Sequence, residues 1–263
     1  MGLTRNPRWS KEICVAPAHR TSAYRLDRVR SRVDKKEIHT NMATVLVTGA
    51  NRGIGLSLCK VFLAEGNDIV AVCRQPSPEL SQLGAKVEVV SDVDVTQPKA
   101  VSALKQRLGK KRIDILVNNA GVLRDDRLTR LDLDLVEEQI RVNAIAPLRV
   151  VHALLENLGM GSKVALITSR MGSIGDNTSG GYYGYRMSKA ALNAAGMSLA
   201  RDLASRQVAV ALLHPGYVRT DMTSQSGNVA PEDAAAQLAT RIRELTMKTS
   251  GTFWHANGDI LPW

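Results

Sequence analysis

TVLVTGANRGIG, at residues 44–55, is the stretch that decides the fold of this chain. Thr44–Thr48 is a continuous apolar run, which is typical of a strand buried on both faces of a parallel sheet. A glycine-rich turn follows to Gly55, and apolar residues at helical spacing then continue to Gly66. Such a turn between a strand and a helix lets backbone N–H groups approach a pyrophosphate at the positive end of the helix. The spacing is Gly-x-x-x-Gly-x-Gly, which differs from the Gly-x-Gly-x-x-Gly fingerprint.

Strand and helix patterns alternate through the rest of the chain. They predict strands at Asp68–Cys73, Lys86–Val90, Ile113–Val117, Lys163–Thr168, Val208–Leu213 and Thr252–Trp254, and helices at Lys99–Leu108, Leu135–Leu158, Tyr185–Ala204 and Pro231–Met247. Alternation at this spacing implies right-handed crossovers and a sheet covered on both faces. We predict an α/β fold, with a single Rossmann-type doubly wound parallel sheet of about seven strands. No interdomain linker interrupts residues 42–263, so we predict one domain there.

Composition limits the classes of function. Hydrophobic residues make up 44% and aromatic residues 4%, so the predicted core is aliphatic. No apolar run approaches the ~20 residues needed to cross a membrane, so no membrane partner is expected. Cys14, Cys59 and Cys73 have no metal-ligand spacing, and we expect no metal site. We interpret them as free thiols in a reducing compartment, and predict a cytoplasmic protein.

The formal charge of +10 is concentrated at the start of the chain. Residues 1–41 hold ten Lys or Arg residues and four acidic residues. We interpret this segment as a disordered leader or an upstream start, with Met42 opening the domain. An organelle-targeting peptide is a second interpretation, and a nucleic-acid-binding arm is a third. Because the remaining residues are only mildly basic, we expect no nucleic-acid partner.

Two arginines predict the cofactor. In a dinucleotide-binding fold, the end of the second strand contacts the adenosine ribose, and an acid there favours NAD. Arg74 stands at that position, and Arg52 lies in the glycine turn. Guanidinium groups suit a 2′-phosphate because they form charge-assisted, bidentate hydrogen bonds. We therefore predict NADP(H) rather than NAD(H), against the simpler interpretation of two surface arginines.

A Tyr-x-x-x-Lys pair is the strongest catalytic candidate. Tyr185 is followed four residues later by Lys189, which places both side chains on one face of an alanine-rich helix. Tyr182 and Tyr183 lack a lysine at this spacing. A free tyrosine has a pKa near ~10, and a fixed positive charge nearby lowers it towards the working range. By itself such a pair is more often a solvated helix face than a catalytic site.

Polar residues follow the predicted strands, at the sheet edge where ligands bind in this class of fold. Ser169 ends the fifth strand, and Asn143 lies inside the long helix that precedes it. The remaining members of this set are Asp94 and Val95 after the third strand, Asn118–Gly121 after the fourth, and His214–Thr220 after the sixth.

These motifs in this order resemble the short-chain dehydrogenase/reductase family over about residues 43–263, and within it the C-factor and sniffer-like carbonyl reductases. The resemblance implies that Tyr185 is a general acid, that Lys189 lowers the tyrosine pKa and holds the nicotinamide ribose, that Ser169 binds the substrate oxygen, and that Asn143 anchors a water. It also implies a set of cofactor-binding residues. These are Gly49, Asn51, Arg52, Gly53, Ile54, Gly55, Arg74, Asp94, Val95, Asn119, Ala120, Gly121, Tyr185, Lys189, Pro215, Gly216, Val218 and Thr220.

Two departures from the family pattern bear on the site. Ser169 lies sixteen residues before Tyr185, further than is common, so Ser173 competes for the role; we prefer Ser169 because it ends the strand directly. The segment between Gly216 and Pro231 is short, which predicts an open substrate site with loose selectivity.

The resemblance implies an enzyme that transfers hydride from NADPH to the carbonyl of a small aldehyde or ketone. The alternative is a dinucleotide-binding, C-factor-like signalling protein. A homodimer through the helices at Leu135–Leu158 and Tyr185–Ala204 is a further expectation, because small residues in the second helix permit close approach.

Overall fold

The first predicted strand lies inside the sheet, with a parallel strand on either side. A computed structural model describes residues 42–263. The predictions for residues 1–41 and for Cys14 lie outside the described residues. Within those residues no helix is both long and apolar enough to span a membrane.

Seven parallel strands form one sheet within residues 42–263, in the order β3-β2-β1-β4-β5-β6-β7. The strands are β1 Thr44–Thr48, β2 Asp68–Val72, β3 Val87–Val90, β4 Ile115–Asn118, β5 Lys163–Ile167, β6 Ala209–His214 and β7 Phe253–His255. Each predicted strand is present within one or two residues at either end. The strand order reverses between β1 and β4, which is the position where open α/β sheets bind ligands.

Helices cover both faces, and each face has its own core. Alternate residues of a strand point to opposite faces. In β1, Leu46 packs with residues of one core, whereas Val45 and Val47 pack with the other. The predicted doubly wound α/β fold is confirmed.

The structure describes seven α-helices in chain order. They are α1 Gly53–Ala64, α2 Pro78–Ser81, α3 Pro98–Leu108, α4 Leu133–Ile140, α5 Ala146–Ala153, α6 Tyr183–Asp202 and α7 Pro231–Glu244. Helices α3, α5 and α6 contribute to one core, and α1 and α7 contribute to the other.

The prediction of one continuous helix over Leu135–Leu158 is wrong. A π-helical turn at Arg141–Ile145 separates α4 from α5, and the backbone N–H of Ala146 bonds the carbonyl of Arg141, five residues back. The physical reason lies in Pro147, which has no N–H to donate to the carbonyl of Asn143 and whose ring would crowd it. The wider turn relieves both problems. Helix α5 then ends at Ala153.

Candidate active site

The glycine turn after β1 has a backbone path that requires glycine. Gly49 and Gly53 have φ angles of 66° and 53°, in the left-handed region that side chains rarely adopt. A Cβ atom on Gly55 would lie 2.2 Å from the carbonyl oxygen of Gly49. The turn is therefore closed by contacts between backbone atoms, and Asn51 and Arg52 project from it.

Helix α1 offers its N-terminus to an anion. It has twelve residues, its first turn contains no acidic residue, and the side chain of Arg52 makes no capping bond. The first N–H groups of a helix point away from its end and carry partial positive charge. With the glycine turn in front of them, Gly53, Ile54 and Gly55 suit the pyrophosphate of a dinucleotide.

Thr48 and Asn119 hold this turn against β4. The Thr48 hydroxyl accepts hydrogen bonds from the backbone N–H groups of Asn119, at 3.0 Å, and Ala120, at 3.2 Å. The side-chain amide of Asn119 donates to the carbonyls of Thr48 and Gly49, at 3.0 and 3.2 Å. Asn119 therefore shapes the turn with its side chain. The sequence analysis missed Thr48, although its position at the end of a buried strand was a usable signal.

The loops after β3 and β4 present the other predicted cofactor residues. The Asp94 carboxylate accepts bonds from the N–H and hydroxyl of Thr96, at 2.9 and 2.7 Å. Val95 is buried beside it. A Cβ on Gly121 would lie 3.2 Å from Asn143 Oδ1, so this glycine lets the loop pass close to the helix at Asn143.

Arg52 and Arg74 leave neighbouring segments of the chain. The N–H of Ala50, in the glycine turn, donates to the carbonyl of Val72, the last residue of β2, at 3.2 Å. Arg74 is exposed two residues further on. The guanidinium of Arg52 lies 2.5 Å from the carboxylate of Asp221, with both side chains more than half exposed. The sequence analysis did not anticipate this acid.

Tyr185 and Lys189 share one face of α6, as predicted. The Lys189 ammonium lies 5.6 Å from the centroid of the Tyr185 ring and donates to the carbonyl of Ile167, at the end of β5, over 2.9 Å. Burial lowers the pKa of Lys189 to about 8. Burial also raises the pKa of Tyr185 to about 12, against a lowering effect of its hydrogen bond with Ser169. Burial therefore sets the direction of the shift, and the expected lowering of the tyrosine pKa by Lys189 is not found.

Ser169 and Ser173 occupy different environments. Ser169 lines the same cleft as Tyr185, and its hydroxyl accepts from the N–H of Met171 at 3.1 Å. Ser173 is buried, and its hydroxyl accepts from the N–H of Asp176 at 3.1 Å. Only Ser169 faces the phenol of Tyr185.

Asn143 lies in the π-helical turn with its side chain fully engaged in donating. Its amide nitrogen donates to the carbonyl of Val122 at 2.8 Å and to the hydroxyl of Ser188 at 3.0 Å. Its amide oxygen accepts from the N–H of Val122 at 2.8 Å. Asn143 thus ties the turn to the loop after β4 and to α6.

Asp126 positions the start of α6, and the sequence analysis missed it. This buried carboxylate accepts from the N–H groups of Tyr183 and Gly184, the first residues of the helix. The side chain of Gln139, on α4, reaches the same carboxylate. An acid at a helix N-terminus is favourable, but 57 residues separate Asp126 from Tyr183, so sequence spacing gave no signal.

A cleft of about 440 Å³ opens above Ser169 and Tyr185. Its far wall comes from the loop after β6, where Pro215, Gly216, Val218 and Thr220 all line it. His214 also lines it; burial is the main cause that lowers the pKa of its imidazole to about 3, so this histidine is neutral. Apolar side chains make up much of the remaining wall.

The described residues contain no cluster of three or more His, Cys, Asp or Glu side chains suited to a metal ion. Cys59 and Cys73 are free and buried. Burial is the first cause that raises the pKa of each thiol, so neither is a reactive thiolate at neutral pH.

Comparison with known proteins identifies the family. A model of the short chain dehydrogenases matches residues 43–230. The 1-hydroxy-2-glutathionyl-2-methyl-3-butene dehydrogenase of Rhodococcus sp. (strain AD45) is 43% identical over 228 residues, covering 84% of this chain and 100% of that protein. The C-signal of Myxococcus xanthus is 41% identical over 154 residues, covering 57% of this chain and 93% of that protein.

Solved structures agree with this assignment. The carbonyl reductase Sniffer of D. melanogaster superposes with a TM-score of 0.78 at 29% identity, over 84% of this chain and 100% of the other. An NADPH-bound carbonyl reductase from chicken fatty liver gives the same score and identity over 84% of this chain and 99% of the other. The predicted resemblance is confirmed: the chain belongs to the short-chain dehydrogenase/reductase family of oxidoreductases, with C-signal and sniffer-like carbonyl reductases among its relatives.

Proposed function

We propose that this protein reduces the carbonyl group of small aldehydes or ketones with NADPH. The observation that carries the proposal is that Ser169 and Tyr185 line one cleft, with Lys189 buried close to the Tyr185 ring on the same helix as that tyrosine. This arrangement can hold a carbonyl oxygen and deliver a proton to it.

NADPH supplies the hydride when it is bound. The positive-φ glycines at Gly49 and Gly53 and the free N-terminus of α1 suit its pyrophosphate. Exposed arginines at positions 52 and 74 suit a 2′-phosphate. The NADPH bound to the chicken carbonyl reductase supports the same choice for this chain.

Tyr185 holds the proton that the reduced oxygen needs. A phenol with a pKa near 12 is protonated at every physiological pH, so it is a donor rather than a base before the reaction. The Ser169 hydroxyl is placed to bind the same substrate oxygen. Lys189 remains mostly protonated at neutral pH because its pKa is about 8, and its charge favours the phenolate that proton transfer leaves behind.

Asn143 would replenish the proton through a bound water. Its own amide is committed to Val122 and Ser188, so we assign the water to the backbone carbonyl that Pro147 cannot bond. This carbonyl belongs to a residue of the π-helical turn.

The Rhodococcus relative widens the candidate substrates. Its name refers to the oxidation of an alcohol that carries a glutathionyl group. Alcohols and aldehydes with a large polar substituent therefore join the small carbonyl compounds as candidates, and the direction of hydride transfer would depend on which partner is supplied.

A dinucleotide-binding signalling protein is the second candidate. The similarity to C-signal, which extends over 93% of that protein, favours it. The full set of Asn143, Ser169, Tyr185 and Lys189 favours the enzyme, because a sensor that only binds a nucleotide has no need of a proton donor in its cleft.

A homodimer through α5 and α6 is the assembly we propose. Ile145, Leu148 and Met187 are 47%, 44% and 50% exposed on or beside these helices. Large exposed apolar side chains on these two helices favour an interface there.

Replacing Tyr185 with phenylalanine tests the function. The change removes one oxygen and keeps the ring, so carbonyl reduction should fall by about 10²–10⁴-fold, as for a lost general acid. Binding of NADPH, followed by its fluorescence, should change little. Tyr183→Phe is the matched control, because this tyrosine is exposed at the start of the same helix.

The assay is NADPH consumption across a panel of aldehydes and ketones. Full turnover in Tyr185→Phe would show that the proton comes from elsewhere. Tight NADPH binding with no turnover of any carbonyl compound in the unmutated protein would favour the signalling function.

A further inference from the structure

Three charged side chains line the cleft in addition to Ser169 and Tyr185. They are Arg170, Asp176 and Arg186. The neighbouring lining is largely apolar and includes Leu123 and Met171. Two guanidinium groups face one carboxylate here, so this part of the cleft carries a net positive charge.

Arg186 is held in place by the loop before α6. Its Nε donates to the carbonyl of Gly181 at 3.2 Å, and one terminal nitrogen donates to the hydroxyl of Ser179 at 2.9 Å. Both acceptors are uncharged, so the loop fixes the guanidinium without neutralising it. Its other terminal nitrogen has no hydrogen bond to another described residue, and this side chain is half-buried beside Tyr185.

Arg170 differs because Asp176 neutralises it. The two side chains form an ion pair, and both line the cleft. Arg186 is also near enough to act on Asp176: the pKa of this carboxyl is lowered first by its bond to Arg170, and further by the charge of Arg186. The three groups form one cluster, in which Arg186 supplies the uncompensated charge.

We propose that this cluster is a subsite for a carboxylate, so that the preferred substrates are carbonyl compounds that carry a carboxylate away from the reacting carbon. Arg186 is the main anchor, Arg170 is the second, and Asp176 moderates the attraction. The inference rests on the proposed function, because it assumes that the carbonyl lies at Ser169 and Tyr185. Planar guanidinium groups suit a carboxylate through paired, charge-assisted hydrogen bonds.

Matched substrates test the subsite. We would compare 4-carboxybenzaldehyde with methyl 4-formylbenzoate, and 9-oxononanoic acid with its methyl ester, which differ in charge with little change in shape. The measured quantity is the ratio of kcat/KM for the acid to that for its ester. Because both substrates of a pair are measured with the same protein, general damage to the site affects both values and cancels from the ratio. Comparing the ratio between variants removes the difference in intrinsic reactivity between the acid and its ester.

Charge-changing variants should move this ratio in opposite directions. Arg186→Gln should lower it about tenfold, as expected for one charge-assisted hydrogen bond at a half-exposed site. Arg186→Lys should restore part of the ratio, because it keeps the charge. Asp176→Asn should raise the ratio, because it releases Arg170. Arg201→Gln is the control for net charge, since Arg201 lies on the last turn of the same helix and outside the cleft.

The outcomes distinguish failure of the carboxylate subsite from failure of the proposed reductase activity. If both aldehydes of a pair turn over but the ratio does not respond to Arg186→Gln, or falls in Asp176→Asn, the carboxylate subsite is overturned and the reductase stands. If no aldehyde turns over, the proposed reductase fails. Calorimetric binding of 4-carboxybenzaldehyde to the NADPH complex, with the unmutated protein and Arg186→Gln, then still decides whether the subsite exists: weaker binding in the variant supports it, and equal binding overturns it.

Discussion

Cofactor preference provides a quantitative test of the role of Arg52 and Arg74. We expect NADPH to be preferred over NADH because Arg52 lies in the glycine turn and Arg74 follows β2, and a backbone hydrogen bond between Ala50 and Val72 joins these two segments. The informative perturbation is Arg74→Asp, which removes one guanidinium and adds a carboxylate that would repel a 2′-phosphate. Asp221→Asn is its opposite, because it frees Arg52 from the ion pair at 2.5 Å.

The expected size of the preference for NADPH over NADH follows from the solvent exposure of the two arginines. A charge-assisted hydrogen bond is worth about 1.5–3 kcal/mol when desolvated, but exposed ion pairs contribute only about 0–1 kcal/mol. The Arg52 side chain is 67% exposed, and Arg74 is also exposed, so we assign about 1 kcal/mol to each arginine. Together they should favour NADPH by about thirty-fold in kcat/KM. Arg74→Asp should remove or reverse this preference, and Asp221→Asn should raise it a few-fold.

The assay is kcat/KM for both cofactors with one saturating aldehyde, together with Kd for each by fluorescence. Arg201→Asp is the control, because it changes net charge by the same amount at the far end of α6. Equal efficiency with NADH and NADPH in the unmutated protein would refute the reasoning. An unchanged preference in Arg74→Asp would remove Arg74 from the phosphate site even if NADPH is preferred.

Three further outcomes are expected. The pKa of Lys189 is lowered to about 8, whereas Tyr185 stays protonated up to about 12, so the rate of reduction should decline above pH 8 as the ammonium loses its proton. Lys189→Arg should move this decline to higher pH. A decline at the same pH in Lys189→Arg would assign the ionisation to another group. Removing residues 1–41 should leave turnover and Tm unchanged, since every site residue named above lies within residues 42–263; a large loss of either disproves this. Light scattering should show a dimer at micromolar concentration that Leu148→Glu converts to a monomer, and a monomeric unmutated protein would contradict the interface.

The sheet could be predicted from sequence because each strand has a local signature. A strand buried on both faces must be a short apolar run, and β1, β5 and β6 each have one bounded by turn residues. Helix ends were predicted less well where several signals compete. Helix α6 begins at Tyr183 and not at Tyr185 as predicted, because the carboxylate of Asp126 accepts hydrogen bonds from its first N–H groups across a distant part of the chain.

The motif residues were also predictable, but their partners were not. Tyr185 and Lys189 can be recognised by their spacing of four residues on one helix. Thr48, Asp126 and Asp221 act through contacts across the sheet or between loops, at separations of 57 residues or more. No periodicity in the sequence reports such contacts, because they depend on which loops the finished sheet brings together.

The π-helical turn at Asn143 was only partly predictable from the sequence. Pro147 was visible in the sequence and is a recognised interruption of a helical pattern, yet the amphipathic spacing around it favoured one long helix. In the structure, a wider π-helical turn precedes Pro147 and accommodates its missing N–H. As a result, the Asn143 amide is directed at Val122 and Ser188, which fixes the loop after β4 and α6 relative to each other. The π-helical turn therefore aligns the loop after β4, which carries the predicted cofactor residues Asn119, Ala120 and Gly121, with the helix that carries Tyr185.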